Sequence, residues 1–300
     1  MIKSFGEIDN DLINEVCKCF EINYNFDSLR DNYPFLDYSV LYSILYSTTK
    51  YHEEIYNYLC QANIDDGKII VISDTHYGSK YENMKYTYEV FNFAIANGIH
   101  IILHGGDIIE SNVKPRKWYD NDIKQAEYFI NRYPFDNGIK TYAILGNHDY
   151  SAINENEVVR DILCSRKDIN VLGFRKAYLK WCETVISLQH EIEKFKLNLP
   201  INAEYISFKG HSHFYHIREK KNRKNERIYI PSMCEIPSGL KNHLYIKENN
   251  IIVKPGFLTA EIDGSNIVII NYSFTAGKII KENEFTKVLK RKIDSVKESN

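Results

Sequence analysis

The sequence predicts an α/β protein: a layered α/β sheet, a small all-α segment before it, and a second, mostly antiparallel sheet after it. Three observations predict this. Between residues 68 and 145, short apolar runs rich in β-branched residues alternate with helical spacings, which reads as β-α-β-α-β. From about residue 183 strand-like runs follow one another closely. Before residue 67 the apolar residues recur at helical intervals instead.

In chain order, Ile8, Leu12, Ile13, Val16 and Phe20 form one apolar face and predict a helix over 7–20. Two more helices are predicted over 36–48, from Leu41, Ile44 and Leu45, and over 51–61, from Ile55, Tyr58 and Leu59. The run 68–73 is a buried strand bounded by Asp-Asp-Gly. Residues 84–97 follow as a helix stopped by Gly98, then 99–104 as a strand, 115–133 as a helix and 141–145 as a strand. The later strands are expected at 184–189, 204–209, 213–218, 227–232, 251–253, 257–262 and 266–273. Phe285, Val288, Leu289, Ile293 and Val296 then predict a closing helix over 282–298.

Charge is unevenly placed. Residues 1–66 hold four basic and twelve acidic side chains, a balance of −8; with the whole chain at −2, the remainder carries +6. Three short helices at −8 would be repelled by phosphates, which argues against a DNA-binding helix-turn-helix there. The mild basic surplus beyond residue 66 suits a phosphate-bearing substrate. The N-terminus lacks a signal-peptide stretch, no run is long enough to span a membrane, and the six cysteines make no CxxC pair. A cytoplasmic protein with reduced cysteines and no membrane partner is expected.

Five motifs each follow a predicted strand, at the strand ends where α/β proteins bind ligands. Asp74 and His76, one residue apart after the first strand, are placed to grip one ion. Gly105-Gly106 makes a tight turn that lets Asp107 approach closely, as a carboxylate shared by two cations must. Gly146-Asn147-His148-Asp149 offers a neutral amide ligand in Asn147, an imidazole in His148 able to act on substrate, and Asp149 to orient that ring. His190 ends the run 184–189, and His211 and His213 flank Ser212 after Gly210, each placed to reach a different ion. His100 and His104 read as strand residues beside the site.

This order, D-x-H, G-D, G-N-H-D, H and G-H-x-H, resembles the calcineurin-like metallophosphoesterase superfamily over about residues 67–275. The resemblance implies a four-layer α/β-β/α sandwich with two divalent metal ions at the ends of the central strands. It implies Asp74, His76 and His213 on one metal, Asn147, His190 and His211 on the other, Asp107 bridging, and His148 assisting the leaving group. A metal-bound hydroxide would attack phosphorus in line. The oxygen and imidazole donors favour manganese (Mn2+), with Fe, Zn, Ni or Co as further choices. Asp107 is followed by Ile108-Ile109-Glu110-Ser111 and the third motif ends in Asp149, unlike the protein Ser/Thr phosphatases of the superfamily. His148 stands where the small phosphodiesterases related to the retromer scaffold subunit often have Cys. Repair nucleases and cyclic-nucleotide phosphodiesterases are therefore the nearer type. His190 is followed by Glu191 rather than the frequent x-Pro, a departure from the pattern.

The expected organisation is an acidic helical segment over 1–66, a metallophosphoesterase domain over 67–275 and a helical tail over 276–300. The expected activity is hydrolysis of a nucleotide or nucleic-acid phosphodiester. The alternatives are a phosphomonoesterase with the same site, or a metal-binding scaffold. Residues 1–66 would form a homodimer contact or dock a protein partner. The basic stretch 218–227, six basic against two acidic residues, would contact a polyanionic substrate or form a solvated hairpin tip.

Overall fold

The computed structural model describes residues 10–23, 29, 31–36, 40–41, 44, 60–111, 119, 121–182, 184–190, 204–218, 232–240 and 254–288. Within these residues the central layer is a seven-stranded sheet: β13 (Lys278–Val288), β12 (Asn266–Thr275) and β11 (Gly256–Asp263) lie side by side, and β2, β3, β4 and β5 follow in that order. Its parallel half comprises β2 (Lys68–Ile72), β3 (Ile101–His104), β4 (Lys140–Leu145) and β5 (Ile169–Phe174). Helices α2 (Met84–Ala96), α3 (Asp122–Arg132), α4 (Asn147–Glu155) and α5 (Val158–Leu163) connect those strands. The predicted 84–97 helix ends as expected, with Gly98 at φ +63.

Strand periodicity divides the core. Ile70, Ile72, Ile102, Ala143 and Leu145 point to the helices, where Tyr86, Val90, Phe91 and Phe129 meet them. Ile69, Val71, Ile101, Leu103, Tyr142 and Ile144 point the other way, onto Leu179, Ile186, Leu188, Ile206 and Phe208 of a second sheet. That sheet runs β1-β6-β7-β8-β10-β9. Its strands are β1 (Cys60–Ile64), β6 (Lys176–Trp181), β7 (Thr184–Gln189), β8 (Glu204–Lys209), β9 (His216–Arg218) and β10 (Ser232–Glu235). Its outer face is covered by the N-terminal segment. Val16 and Phe20 of α1 (Asn10–Asn23), with Leu29, Leu36, Val40, Leu41 and Ile44, form one cluster with Tyr178 of β6 and Val185 of β7. The layers are therefore helix, sheet, sheet, helix.

Five expectations need correction. The second sheet is not mostly antiparallel: β1 with β6, β7 with β8 and β8 with β10 all run parallel. Strands β11 (Gly256–Asp263) and β12 (Asn266–Thr275) belong to the first sheet, since Leu258 and Ala260 lie beside Val71 and Ile69. The helix expected over 51–61 cannot extend through Cys60 and Gln61, which open β1; residues 51–59 lie outside the described residues. The closing helix is instead a strand over its first part, β13 (Lys278–Val288), paired along β12 from Lys278 with Thr275 to Val288 with Asn266. Ala276 and Gly277, at φ 51 and 76, form the turn that joins them. That reversal lays the chain against a ready-made sheet edge, and non-local pairing overrides the helical spacing. Residues 289–300 lie outside the described residues. The helix expected over 115–133 begins at Asp122.

Among the described residues no helix is long and apolar enough to cross a membrane.

Candidate metal centre

The carboxyl ends of β2, β3 and β4 lie at one edge of the first sheet, and those of the parallel pair β7 and β8 meet them from the second. All five motif loops therefore converge. Asp74 N–H donates to Gly106 O (2.9 Å) and His76 N–H to Asp107 O (3.1 Å), which tie the first two loops together. Gly106 makes room for the fourth motif: a Cβ there would stand 2.6 Å from His190 Nδ1, and its φ is +97.

Backbone strain concentrates here. Of the nine non-glycine residues with positive φ among the described residues, five are Asp74, His76, Asp107, His211 and His213, at 53, 46, 51, 70 and 65°. Such conformations persist only where the surroundings enforce them, and they cluster at functional sites.

Three donor groups form: Asp74, His76 and His213; His76, Asp107 and His148; and Asp107, His190 and His211. Asp107 belongs to two of them. Its Oδ2 lies 3.1 Å from His190 Nε2, 3.7 Å from His76 Nε2 and 3.9 Å from His148 Nε2. Asp74 Oδ1 lies 3.2 Å from His213 Nε2 and 3.9 Å from His76 Nε2. Asn147 Oδ1 is 3.1 Å from both His190 Nε2 and His211 Nδ1. The structure thus brings together all seven residues expected to bind metal, and His148 with them.

The donor chemistry fits cations. His190 Nδ1 sits 2.7 Å from Gly105 O, and a carbonyl only accepts, so the ring proton is on Nδ1. A neutral His190 then turns a bare Nε2 towards the oxygens of both Asp107 and Asn147. Converging lone pairs need a positive charge between them, either a proton or a metal. In the metal-free chain it is a proton: burial opposes charge on His190, but Asp107 outweighs it and pushes the group up to about 10. Burial would likewise raise Asp74 and Asp107, yet neighbouring histidines, His213 foremost for Asp74 and His190 for Asp107, hold both well below the usual carboxylate range. These residues are disposed to hold divalent metal ions.

Asp149 is corrected in its expected role. Its buried carboxylate accepts from Ile108 N–H (3.0 and 3.1 Å), Ile109 N–H (3.0 Å) and Gly146 N–H (2.8 Å), pinning the Asp107 loop to the start of α4. Burial and the Asp107 charge push it up to about 7, against those donors. The His148 ring is held elsewhere, with Nδ1 2.6 Å from the main-chain oxygen of Glu110. Glu110 is the residue the sequence reading missed. Its carboxylate is buried and lies 3.1 Å from His76 Nδ1, the carboxylate–imidazole pairing that orients metal-binding histidines. Burial would raise that carboxyl, but the adjacent His76 ring holds it below its ordinary value. The signal was present as an acidic residue three places after Asp107. His100 is exposed beside Asp66, 3.5 Å away. Of the basic stretch 218–227, only Arg218 is described, 3.6 Å from Glu235.

The family model for calcineurin-like phosphoesterases matches residues 67–255. The chain belongs to this family. The match spans the converging loops and most of both sheets, and leaves the N-terminal layer outside it. Solved structures similar to the chain include Vps29 from Cryptosporidium parvum (15% identity, TM-score 0.43, 73% of this chain and 98% of that one). Vps29 from Chaetomium thermophilum matches at 10% identity and TM-score 0.43, over 74% and 97%. Zinc-complexed Vps29 from Entamoeba histolytica matches at 14% identity and TM-score 0.40, over 73% and 98%. No curated protein matches the sequence.

Proposed function

We propose that this calcineurin-like phosphoesterase is a binuclear-metal-dependent phosphodiesterase acting on a nucleotide or nucleic acid, with His148 as the acid that protonates the leaving oxygen. Asp74, His76 and His213 would hold one divalent ion and Asn147, His190 and His211 the other, with Asp107 shared; manganese is the metal favoured. When bound, such ions supply Lewis-acid polarisation of the phosphoryl group and activation of the attacking water.

The observation that carries the reading is the setting of His148. Its Nδ1 faces a carbonyl that can only accept, so Nδ1 carries a proton in either charge state. Nε2 is therefore the titrating nitrogen, and it lies on the Asp107 side of the ring. The side chain is 17% exposed, so a substrate can reach it from solvent. Burial opposes its charge, but Asp107 and the Glu110 carbonyl raise its pKa in the metal-free chain. A proton-bearing, oriented imidazole suits a diester, whose alkoxide leaving group needs protonation more than an activated monoester's does. The reading places the protein in the cytoplasm, with residues 1–66 as the segment available to a second copy or a protein partner.

The test is metal-dependent hydrolysis of bis-p-nitrophenyl phosphate against p-nitrophenyl phosphate with added Mn(II), on the wild-type chain, Asp107→Asn and His148→Ala. The diester should be preferred. Asp107→Asn should lose metal and turnover. His148→Ala should retain metal but lose about 10²–10⁴ in turnover of an unactivated diester. Preference for the monoester would favour the phosphomonoesterase alternative. Bound metal with no turnover of either substrate would favour the scaffold.

A further inference from the structure

We infer that His104 is a positioning residue, fixing the Asp74–His76 and Gly105–Ile108 loops in register through an ordered chain of three hydrogen bonds. His104 ends β3 and is 1% exposed, so water cannot substitute for its partners. Gly106 N–H donates to its Nδ1 at 3.2 Å. That acceptance requires a bare Nδ1, so the ring proton lies on Nε2. Nε2 is 3.0 Å from Thr75 Oγ1 and donates to it. The Thr75 hydroxyl is then free to donate onward to Ile108 O at 3.3 Å. His104 and Thr75 each receive once and give once, and the direction is the same along the chain.

The places it grips matter more than the number of bonds. Thr75 stands between Asp74 and His76, while Gly106 and Ile108 stand on either side of Asp107. Asp74, His76 and Asp107 all have left-handed backbone, which must be enforced by neighbours. Main-chain bonds already set the spacing of the two loops. The His104 chain adds side-chain anchors at the residues adjoining those three strained positions. It is separate from the donor groups, because neither ring nitrogen of His104 is turned to them. Burial also keeps the ring neutral, holding His104 down to about 3, so the tautomer is stable across ordinary pH.

The arrangement itself stands in the metal-free chain; its consequence for metal affinity rests on the reading of the centre above. The experiment joins two readouts. Nitrogen NMR of ¹⁵N-histidine-labelled, metal-free protein should show His104 as the neutral Nε2–H form at pH 5. An Nδ1–H tautomer or an imidazolium there would overturn the inference. Mn(II) affinity is then measured by calorimetry for His104→Leu, His104→Asn and His104→Gln. His104→Leu should weaken binding at least about tenfold, as loss of outer supports does. His104→Asn, whose amide oxygen can replace Nδ1 as acceptor from Gly106, should recover part of it. His104→Leu at wild-type affinity, or His104→Asn no better than His104→Leu, would refute the role. If His104→Leu fails to fold, His104→Asn is compared with His104→Gln, which cannot place an acceptor at Nδ1; equal affinity sinks the inference. A wild-type chain that binds no Mn(II) would defeat the phosphodiesterase reading, and the tautomer would still decide His104.

Discussion

The main-chain oxygen of Glu110 lies 2.6 Å from Nδ1 of His148, so the proposed leaving-group acid is oriented by a backbone atom that no substitution at position 110 removes. The carboxylate of the same residue serves His76. Glu110→Gln should therefore separate two functions. Metal affinity should fall about 10–100-fold through the lost charge on His76. Turnover at saturating metal should recover most of the wild-type rate, because His148 keeps its acceptor. A metal titration of diester hydrolysis checks this; a rate that stays low at saturation would place the carboxylate in the chemistry itself.

Asp149→Asn should behave as a folding defect. The carboxylate receives three backbone N–H groups from two segments, and an amide offers one accepting oxygen beside an NH2 that can only donate. Each buried donor left without a partner costs about 1–3 kcal/mol. The denaturant midpoint should drop well beyond that of Glu110→Gln, and metal affinity should fall with it. Unchanged stability in the metal-free variant would show that the cage is dispensable.

His104 makes the metal-free fold sensitive to acid. Its folded pKa, about 3, lies below the ordinary value of 6.5, so on acidification the unfolded chain takes up the proton first. The neutral ring's stabilisation is whole above pH 6.5 and is lost as the pH falls towards 3. The slope is at most about 1.4 kcal/mol per pH unit. His104→Asn has no such proton to take up. In EDTA, the stability gap between wild type and His104→Asn should narrow between pH 6.5 and 3; a constant gap would refute it.

Phe20→Ala tests the N-terminal layer. Phe20 is fully buried in the cluster that includes Tyr178 and Val185 of the second sheet. Truncation should cost about 3–5 kcal/mol. Chemical unfolding followed by fluorescence and by circular dichroism should still show one shared transition. A separate early transition for the N-terminal segment would mean that it is an appended unit.

Much of the centre was legible because its chemistry is local. Asp74, Asp107 and Asn147 each follow a buried apolar strand of the parallel half, and strand ends are where ligands collect. Residues whose partners are remote were less legible. Asp149 looks like a neighbour of His148, yet its bonds run to Ile108 and Ile109, about forty positions away. Glu110 sits in an Ile-Ile-Glu-Ser loop that resembles any polar turn, and only the fold brings it to His76. The same limit applies to topology. Alternation in Leu258 and Ala260 says which side chains share a face but not that the neighbouring strand is β2. At the C-terminus, Phe285 and Val288 are three apart, as on one helix face, but the Ala276-Gly277 reversal lays them on β12.

The left-handed backbone at Asp74, His76, Asp107, His211 and His213 makes this centre a conformational debt carried by the rest of the molecule. Glycine would occupy such angles at less cost. A laboratory selection that rewarded heat resistance and ignored turnover would therefore be drawn to these five positions, and the survivors would be sturdier proteins with an erased centre.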